Sequence, residues 1–199
     1  MTMTQFRLRR GAAAGFTATA LLASVAACGG QSGPAALPAA SGGATTKAAS
    51  ASPSSSSKAT AAVKQALAAY RSAFADWASV EAISSKADYQ NPRLADHLTG
   101  AALSYVTGAV YVNTNVKGGV THGQPVLLHP TAGQVIPAND PTQVVVNDCV
   151  QTDSWLLYTT DGHLYNKVPG GREKTQALVV ESSGTWKVSQ LVVQIVGTC

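Results

Sequence analysis

From about Ala59 onward the apolar positions follow two different periods. Val63, Leu67, Tyr70, Phe74 and Trp77 recur at steps of four, three, four and three. That spacing places them on one stripe of an α-helix, expected over 59–85. Alanines fill much of the remaining helix surface and favour the helical state. The stripe is nearly heptad-like, but one short stripe is too little for a coiled coil, so packing on a sheet is expected. Asn91-Pro92 suits an N-cap followed by a first helical position, which opens a short helix over 92–98. Thr99 is placed to cap a third helix that carries Leu103, Val106 and Val110 and ends near 115–119.

After Gly119 the period shortens to that of strands. These are expected over 120–129, around 134–136, over 142–152 and over 155–159, with Pro125 marking an edge or a bulge in the first. Asp161-Gly162 is a tight-turn signal, and Pro169-Gly170-Gly171 is a second. Segments 176–181 and 185–196 form a final hairpin through Ser182-Ser183-Gly184. In its last strand Trp186 and Val188 share one face. Leu191, Val193 and Ile195 share a face of opposite parity. One extra residue near Ser189-Gln190 reconciles the two sets, and a β-bulge there bends the strand. Helices followed by a bent antiparallel sheet give an α+β fold, with the sheet curling around a helix into a cone.

The first 27 residues have another character. Arg7, Arg9 and Arg10 precede a short Ala- and Leu-rich stretch that ends in Val25-Ala26-Ala27-Cys28. A basic start, a short apolar core and small residues before a cut site describe a secretory signal peptide. The stretch is too short and too alanine-rich for a stable membrane span. The cysteine directly after Val-Ala-Ala makes the segment resemble a bacterial lipoprotein signal. The resemblance implies acylation of Cys28, cleavage just before it, and attachment to the extracytoplasmic face of the cell membrane. Arg9-Arg10 leaves the export route open between the general and twin-arginine systems.

Residues 28–58 are Gly, Ser, Ala, Pro and Thr with almost no large apolar side chains, and read as a flexible tether. Its root-mean-square reach is roughly 30 Å. The domain proper is expected over 59–199, a length suited to a single core. Loss of Arg7, Arg9 and Arg10 with the signal takes the formal charge from +4 to about +1. A nucleic-acid binder needs a concentrated basic surface, and none is visible.

Of the three cysteines, acylation would occupy Cys28 and leave Cys149 and Cys199. Outside the cytoplasm two such thiols usually pair; the alternative is two separate buried thiols. No metal-ligand spacing is present among the cysteines and histidines, so neither metal nor cofactor is expected.

The order of elements resembles the nuclear transport factor 2-like superfamily, and more closely the actinobacterial lipoproteins that carry such a domain. The residues that carry the likeness are Asn91-Pro92-Arg93-Leu94 with Asp96-His97, Gly123-Gln124-Pro125-Val126, Asp140-Pro141-Thr142, and the run Val144 to Cys149. Trp155-Leu156, Pro169-Gly170-Gly171-Arg172, Trp186-Lys187-Val188 and Gly197-Thr198-Cys199 complete it. The resemblance implies a cone whose interior holds any chemistry. Isomerases and dehydratases of the superfamily use a general base and an oxyanion donor there, and a carboxyl in an apolar pocket is tuned for such work. Candidates for the pocket are Trp77, Asp153, Tyr158 and His163, with Asp76 on the first helix.

The simpler readings weigh against catalysis. Asp148 and Asp153 are five apart and face opposite ways in an unbroken strand. Asp148 suits backbone donors or a pairing with Arg172 or Lys174. His97 sits at a helix end, His163 follows a turn, and tryptophans are more often core than platforms. No phosphate loop, Ser/His/Asp set or nucleophile elbow stands out. The expectation is a non-catalytic lipoprotein that binds an envelope component, a protein partner or a small apolar ligand. A further alternative is an interaction module of an envelope or secretion assembly, with the open sheet used for a homodimer. An enzyme would instead show a deep pocket with converging polar groups and a raised carboxyl pKa.

Overall fold

A computed structural model describes residues 53–83, 87–167 and 170–199. Cys28, the signal peptide and most of the expected tether lie outside them, as does Pro169. Among the described residues three helices come first: α1 (Pro53–Glu81), α2 (Leu94–His97) and α3 (Gly100–Val110), the last continued by a π-helical segment, Tyr111–Val116. Seven strands follow among the described residues: β1 (Val120–His122), β2 (Val126–Leu127), β3 (Thr131–Ile136), β4 (Gln143–Gln151), β5 (Leu156–Tyr158), β6 (Arg172–Ser182) and β7 (Thr185–Val193). The fold is α+β. A strongly curled antiparallel sheet runs β4-β6-β7, with β2 and β3 both paired to the free side of β4. β1 and β5 form a separate two-stranded sheet, pairing Thr121 with Leu157.

Helix α1 begins at Pro53, six residues before the expected start, so the tether's last residues are helical. Proline is at home in a first helical turn, where its missing N–H has no partner to lose. Lys58, expected in the tether, instead reaches Asp140 at 2.9 Å. The stripe also sits differently from expectation. Tyr70, Phe74 and Trp77 are buried, but Val63 and Leu67 are only partly so, and the line through Ala62, Ala66, Ala69 and Ala73 takes the inner face. Small side chains there let the helix backbone approach β4, β6 and β7. The three aromatics fill the remaining space, each worth about 1.5–3 kcal/mol on burial.

Helix α2 opens two residues later than expected, at Leu94; Asn91 Oδ1 accepts from Arg93 N–H at 3.0 Å, and the bonds of the preceding turn return to Asn91 O and Pro92 O. Thr99 precedes α3 without a side-chain cap; its own N–H bonds Val188 O on β7.

The long strand expected over 120–129 is two strands in different sheets. Gly123, with φ of +81°, turns the chain between them, and a Cβ there would stand 1.7 Å from Ser154 O. β4 alternates cleanly, with Val144, Val146, Asp148 and Val150 inward. β6 does the same through Thr175, Ala177 and Val179. Ser183 and Gly184, both at positive φ, make the two-residue hairpin turn to β7. On β7, Val188 faces Val179 and Leu191 faces Ala177, so three steps on one strand match two on the other. The bulge expected at Ser189-Gln190 is there, with Ser189 Oγ donating to Leu178 O at 3.1 Å.

Cys149 and Cys199 are disulfide-bonded, their Cα atoms 6.0 Å apart. The tail that carries Cys199 runs on along β6: Gln194 N–H bonds Lys174 O and Gly197 N–H bonds Arg172 O. The bridge therefore fastens the last segment across β6 to β4.

Candidate functional site

The curled sheet and α1 leave a cavity of about 370 Å³ at the C-terminal end of the helix. Trp77 and Glu81 enter it one turn apart on α1. Asn113 and Lys117 come from the π-helical segment and its end, Thr121 from β1, and Thr152 and Trp155 from the β4–β5 connection. Glu173, on the inward row of β6, closes the sheet side. Within the π-helical segment Asn113 lines the cavity, while the buried Thr114 donates its hydroxyl to Val110 O.

Two carboxyl groups line this space. Glu81 is 2% exposed, and its Oε1 accepts from Asn113 Nδ2 at 3.1 Å. Burial raises its pKa above the ordinary glutamate value, against the pull of surrounding donors and of Lys117. Lys117 acts from the side: its Nζ donates to Asn113 Oδ1 at 3.1 Å and lies 5.3 Å from the Tyr165 ring centre. Burial also raises Glu173. Thr152 Oγ accepts from Gly171 N–H and stands 3.1 Å from both Glu173 Oε1 and Gly171 O, which compete for its single proton. Tyr105 feels both carboxylates, and burial together with them raises its phenol pKa.

The walls are aromatic. The Trp77 and Trp155 rings meet at 85° with centroids 4.9 Å apart, and Trp77 meets Tyr105 at 82° and 6.0 Å. Three buried donors in this wall have no hydrogen-bond partner: Trp77 Nε1, Thr121 Oγ1 and Trp155 Nε1. Trp77 and Thr121 lean toward the Glu81 carboxylate and help hold its charge, but neither reaches bonding geometry. A buried donor left unmade costs about 1–3 kcal/mol, so the cluster is an unusual concentration of unmet bonding capacity.

Of the residues expected in the pocket, Trp77 alone lines this cavity. Asp153 is exposed and accepts from Gln151 Nε2 at 3.0 and 2.8 Å. Tyr158 lies on β5 opposite Val120 and stacks edge-on against His122. His163 is exposed beside the Asp161-Gly162 turn, its Nε2 3.7 Å from Asp161. Asp76 is buried on α1 but binds elsewhere, accepting from Arg93 Nε at 2.8 Å and lying 2.6 Å from His97 Nδ1, which ties α2 to α1. His97 thus pairs with a carboxylate as well as ending a helix. Asp148 faces inward and accepts from His129 N–H and Cys149 N–H at 2.8 Å each and from Tyr70 Oη at 3.3 Å, rather than from Arg172 or Lys174. Burial raises its pKa, opposed by these bonds. Tyr70, buried against that carboxylate, has its phenol pKa pushed far up.

Glu81 and Glu173 did not stand out in the sequence, although each had a local signal. Glu81 lies four residues after Trp77, one turn along the same helix. Glu173 shares the inward parity of Thr175, Ala177 and Val179. Among the described residues no group of three or more His, Cys, Asp or Glu side chains is placed to hold a metal ion. No described helix is long and apolar enough to cross a membrane.

No family model matches the chain, and no curated protein matches it. Solved structures similar to it include the intermembrane-space region of the chloroplast protein ARC6, at 19% identity and a TM-score of 0.43, over 63% of this chain and 94% of that one. Another is an uncharacterized protein with a cystatin-like fold from Caulobacter vibrioides, at 18% identity and a TM-score of 0.38, over 71% of this chain and 90% of that one.

Proposed function

We propose that this chain is a lipid-tethered, extracytoplasmic binding protein with a nuclear transport factor 2-like cone, and that the cone cavity holds a small polar ligand without turning it over. The observation that supports the ligand site is the set of three unpartnered buried donors beside Glu81. Protein interiors leave few such groups, and a ligand that meets them recovers bonds otherwise lost. An apolar ligand, expected from the sequence, suits this wall poorly, because it would leave these donors unbonded and offer nothing to the carboxyl groups of Glu81 and Glu173. The anchor rests on the Cys28 context, and the tether on residues 28–52.

Two experiments test the reading. Mass measurement of the N-terminal peptide from the membrane fraction should find Cys28 acylated; an unmodified Cys28 removes the anchor. Native mass spectrometry of the same preparation should find a small molecule that leaves on gentle activation. A preparation that is empty, and in which no added small molecule perturbs Trp77 or Trp155, removes the binding site.

The raised carboxyls of Glu81 and Glu173 favour a second reading, a proton-transfer enzyme of the isomerase or dehydratase type. Recovery of the bound molecule chemically unchanged after prolonged incubation separates binding from turnover.

A further inference from the structure

We infer that the cavity ligand is a neutral polyhydroxyl compound, a sugar or cyclitol, held between the two indoles and the two glutamates. The inference rests on the binding role proposed above and narrows it to a ligand class by charge and bonding capacity. Glu81 and Glu173 face the cavity, so an anion would meet two carboxyl groups. Lys117 lines the same space, so a cation drawn in by the carboxyl groups would also meet an ammonium. A neutral ligand avoids both penalties. The bonding pattern points the same way. Trp77 Nε1 and Trp155 Nε1 can only donate; Trp155 Nε1 has no acceptor, and Trp77 Nε1 has only the Glu81 carboxyl nearby, short of a formed bond. The carboxylates, when ionised, can only accept. A ligand bridging them must accept on one side and donate on the other, which a hydroxyl group does with a single oxygen. Thr121 Oγ1, which likewise has only the Glu81 carboxyl nearby, takes either role. Trp155, half-buried and edge-to-face with the covered Trp77, supplies apolar surface of the kind that the C–H face of a pyranose or cyclitol covers. A quaternary ammonium would use the rings but leave both indole N–H groups unbonded. Inorganic phosphate would meet the N–H groups but lie against the glutamates.

The test follows indole N–H signals by NMR in the full chain with labelled tryptophan. Trp77, Trp155 and Trp186 are its three tryptophans, and Trp186 lies outside this cavity beside Thr142 and Glu181, an internal control. The probes are D-glucose, D-mannose and myo-inositol, then choline chloride and sodium phosphate. At least one polyol should shift Trp77 and Trp155 saturably at millimolar concentration, while Trp186 and the two ionic probes give no such shift. Trp155→Phe keeps an aromatic ring and deletes one donor, and should weaken that binding about fivefold, as loss of one neutral hydrogen bond does. If that variant fails to fold, Thr121→Val removes a donor from another wall with the same expectation. Saturable shifts from choline or phosphate but from no polyol would overturn the ligand class and leave the binding site standing. Silence with every probe would overturn both, and equal movement of Trp186 would overturn the polyol assignment as non-specific.

Discussion

Replacing Asp148 by alanine strikes the point where three parts of the fold meet in one carboxylate. Oδ2 takes the Tyr70 hydroxyl from α1, while Oδ1 takes the N–H of His129, before β3, and of Cys149 in β4. The three losses are unequal. Tyr70 is 0% exposed, so its hydroxyl finds no water, and an orphaned buried donor costs about 1–3 kcal/mol. His129 is exposed and Cys149 half-buried, so their N–H groups recover part of their bonding, at about 0.5–1 kcal/mol each. Removing a partly desolvated charge returns a little, since burial raises this carboxyl's pKa. The net expectation for Asp148→Ala is a loss of about 3 kcal/mol. Asp148→Asn keeps an oxygen for both N–H groups and turns its amide nitrogen toward Tyr70, whose oxygen can accept; a loss of about 1 kcal/mol is expected. Tyr70→Phe should also lose about 1 kcal/mol. The double variant Tyr70→Phe/Asp148→Ala should be less destabilised than the sum by about 1–2 kcal/mol, because no hydroxyl is then orphaned. Denaturant unfolding at neutral pH with the disulfide intact, followed by tryptophan fluorescence, reads all four. An alanine variant within 1 kcal/mol of the parent, or an asparagine variant as damaged as alanine, would refute the reasoning.

Cys149→Ser/Cys199→Ser should lose roughly 4 kcal/mol by the chain-entropy model for a separation of 50 residues, seen as a lower denaturant midpoint; a loss below 1 kcal/mol would show that the tail holds without the bridge. Glu81→Gln should stabilise the fold at neutral pH. Burial raises the folded-state pKa of Glu81, so its stability term is fullest below the ordinary glutamate pKa and falls as pH rises from there through the folded value. Melting curves across that window should therefore fall less steeply for the variant than for the parent, and equal slopes would count against a buried, costly charge. Gly123→Ala should lose at least about 2 kcal/mol in the same unfolding assay, since its backbone is left-handed and the added carbon meets Ser154 O; a neutral result would mean the β1–β2 turn adapts.

How much of this was legible in the sequence depends on how local each signal was. The β7 bulge was readable because the parity change between Val188 and Leu191 lies within one strand. The Tyr70, Phe74 and Trp77 stripe was readable for the same reason. Pairing of Cys149 with Cys199 followed from counting sulfur atoms. The start of α1 was misjudged because a Ser-rich stretch resembles a tether, and the contact of Lys58 with Asp140, 82 residues away, leaves no local trace. The break at Gly123 escaped because Val120 to His129 keeps a strand-like composition across a positive-φ turn. The cavity was least legible. Glu81, Thr121, Thr152 and Glu173 come from four separate segments, and their convergence is a product of sheet curvature. Asp153 and His163 drew attention as polar residues near turns, which is also why they are exposed.

The most direct measurement is a crystal structure of the chain in which ordered solvent and small molecules in the cavity are visible. A bound molecule, or fixed waters in its place, should lie within about 2.7–3.2 Å of Trp77 Nε1, Thr121 Oγ1 and Trp155 Nε1 and be bonded onward to Glu81 or Glu173. Indoles bonded directly to the Glu81 carboxylate, with the walls closed and no room between them, would contradict a ligand site in this cone.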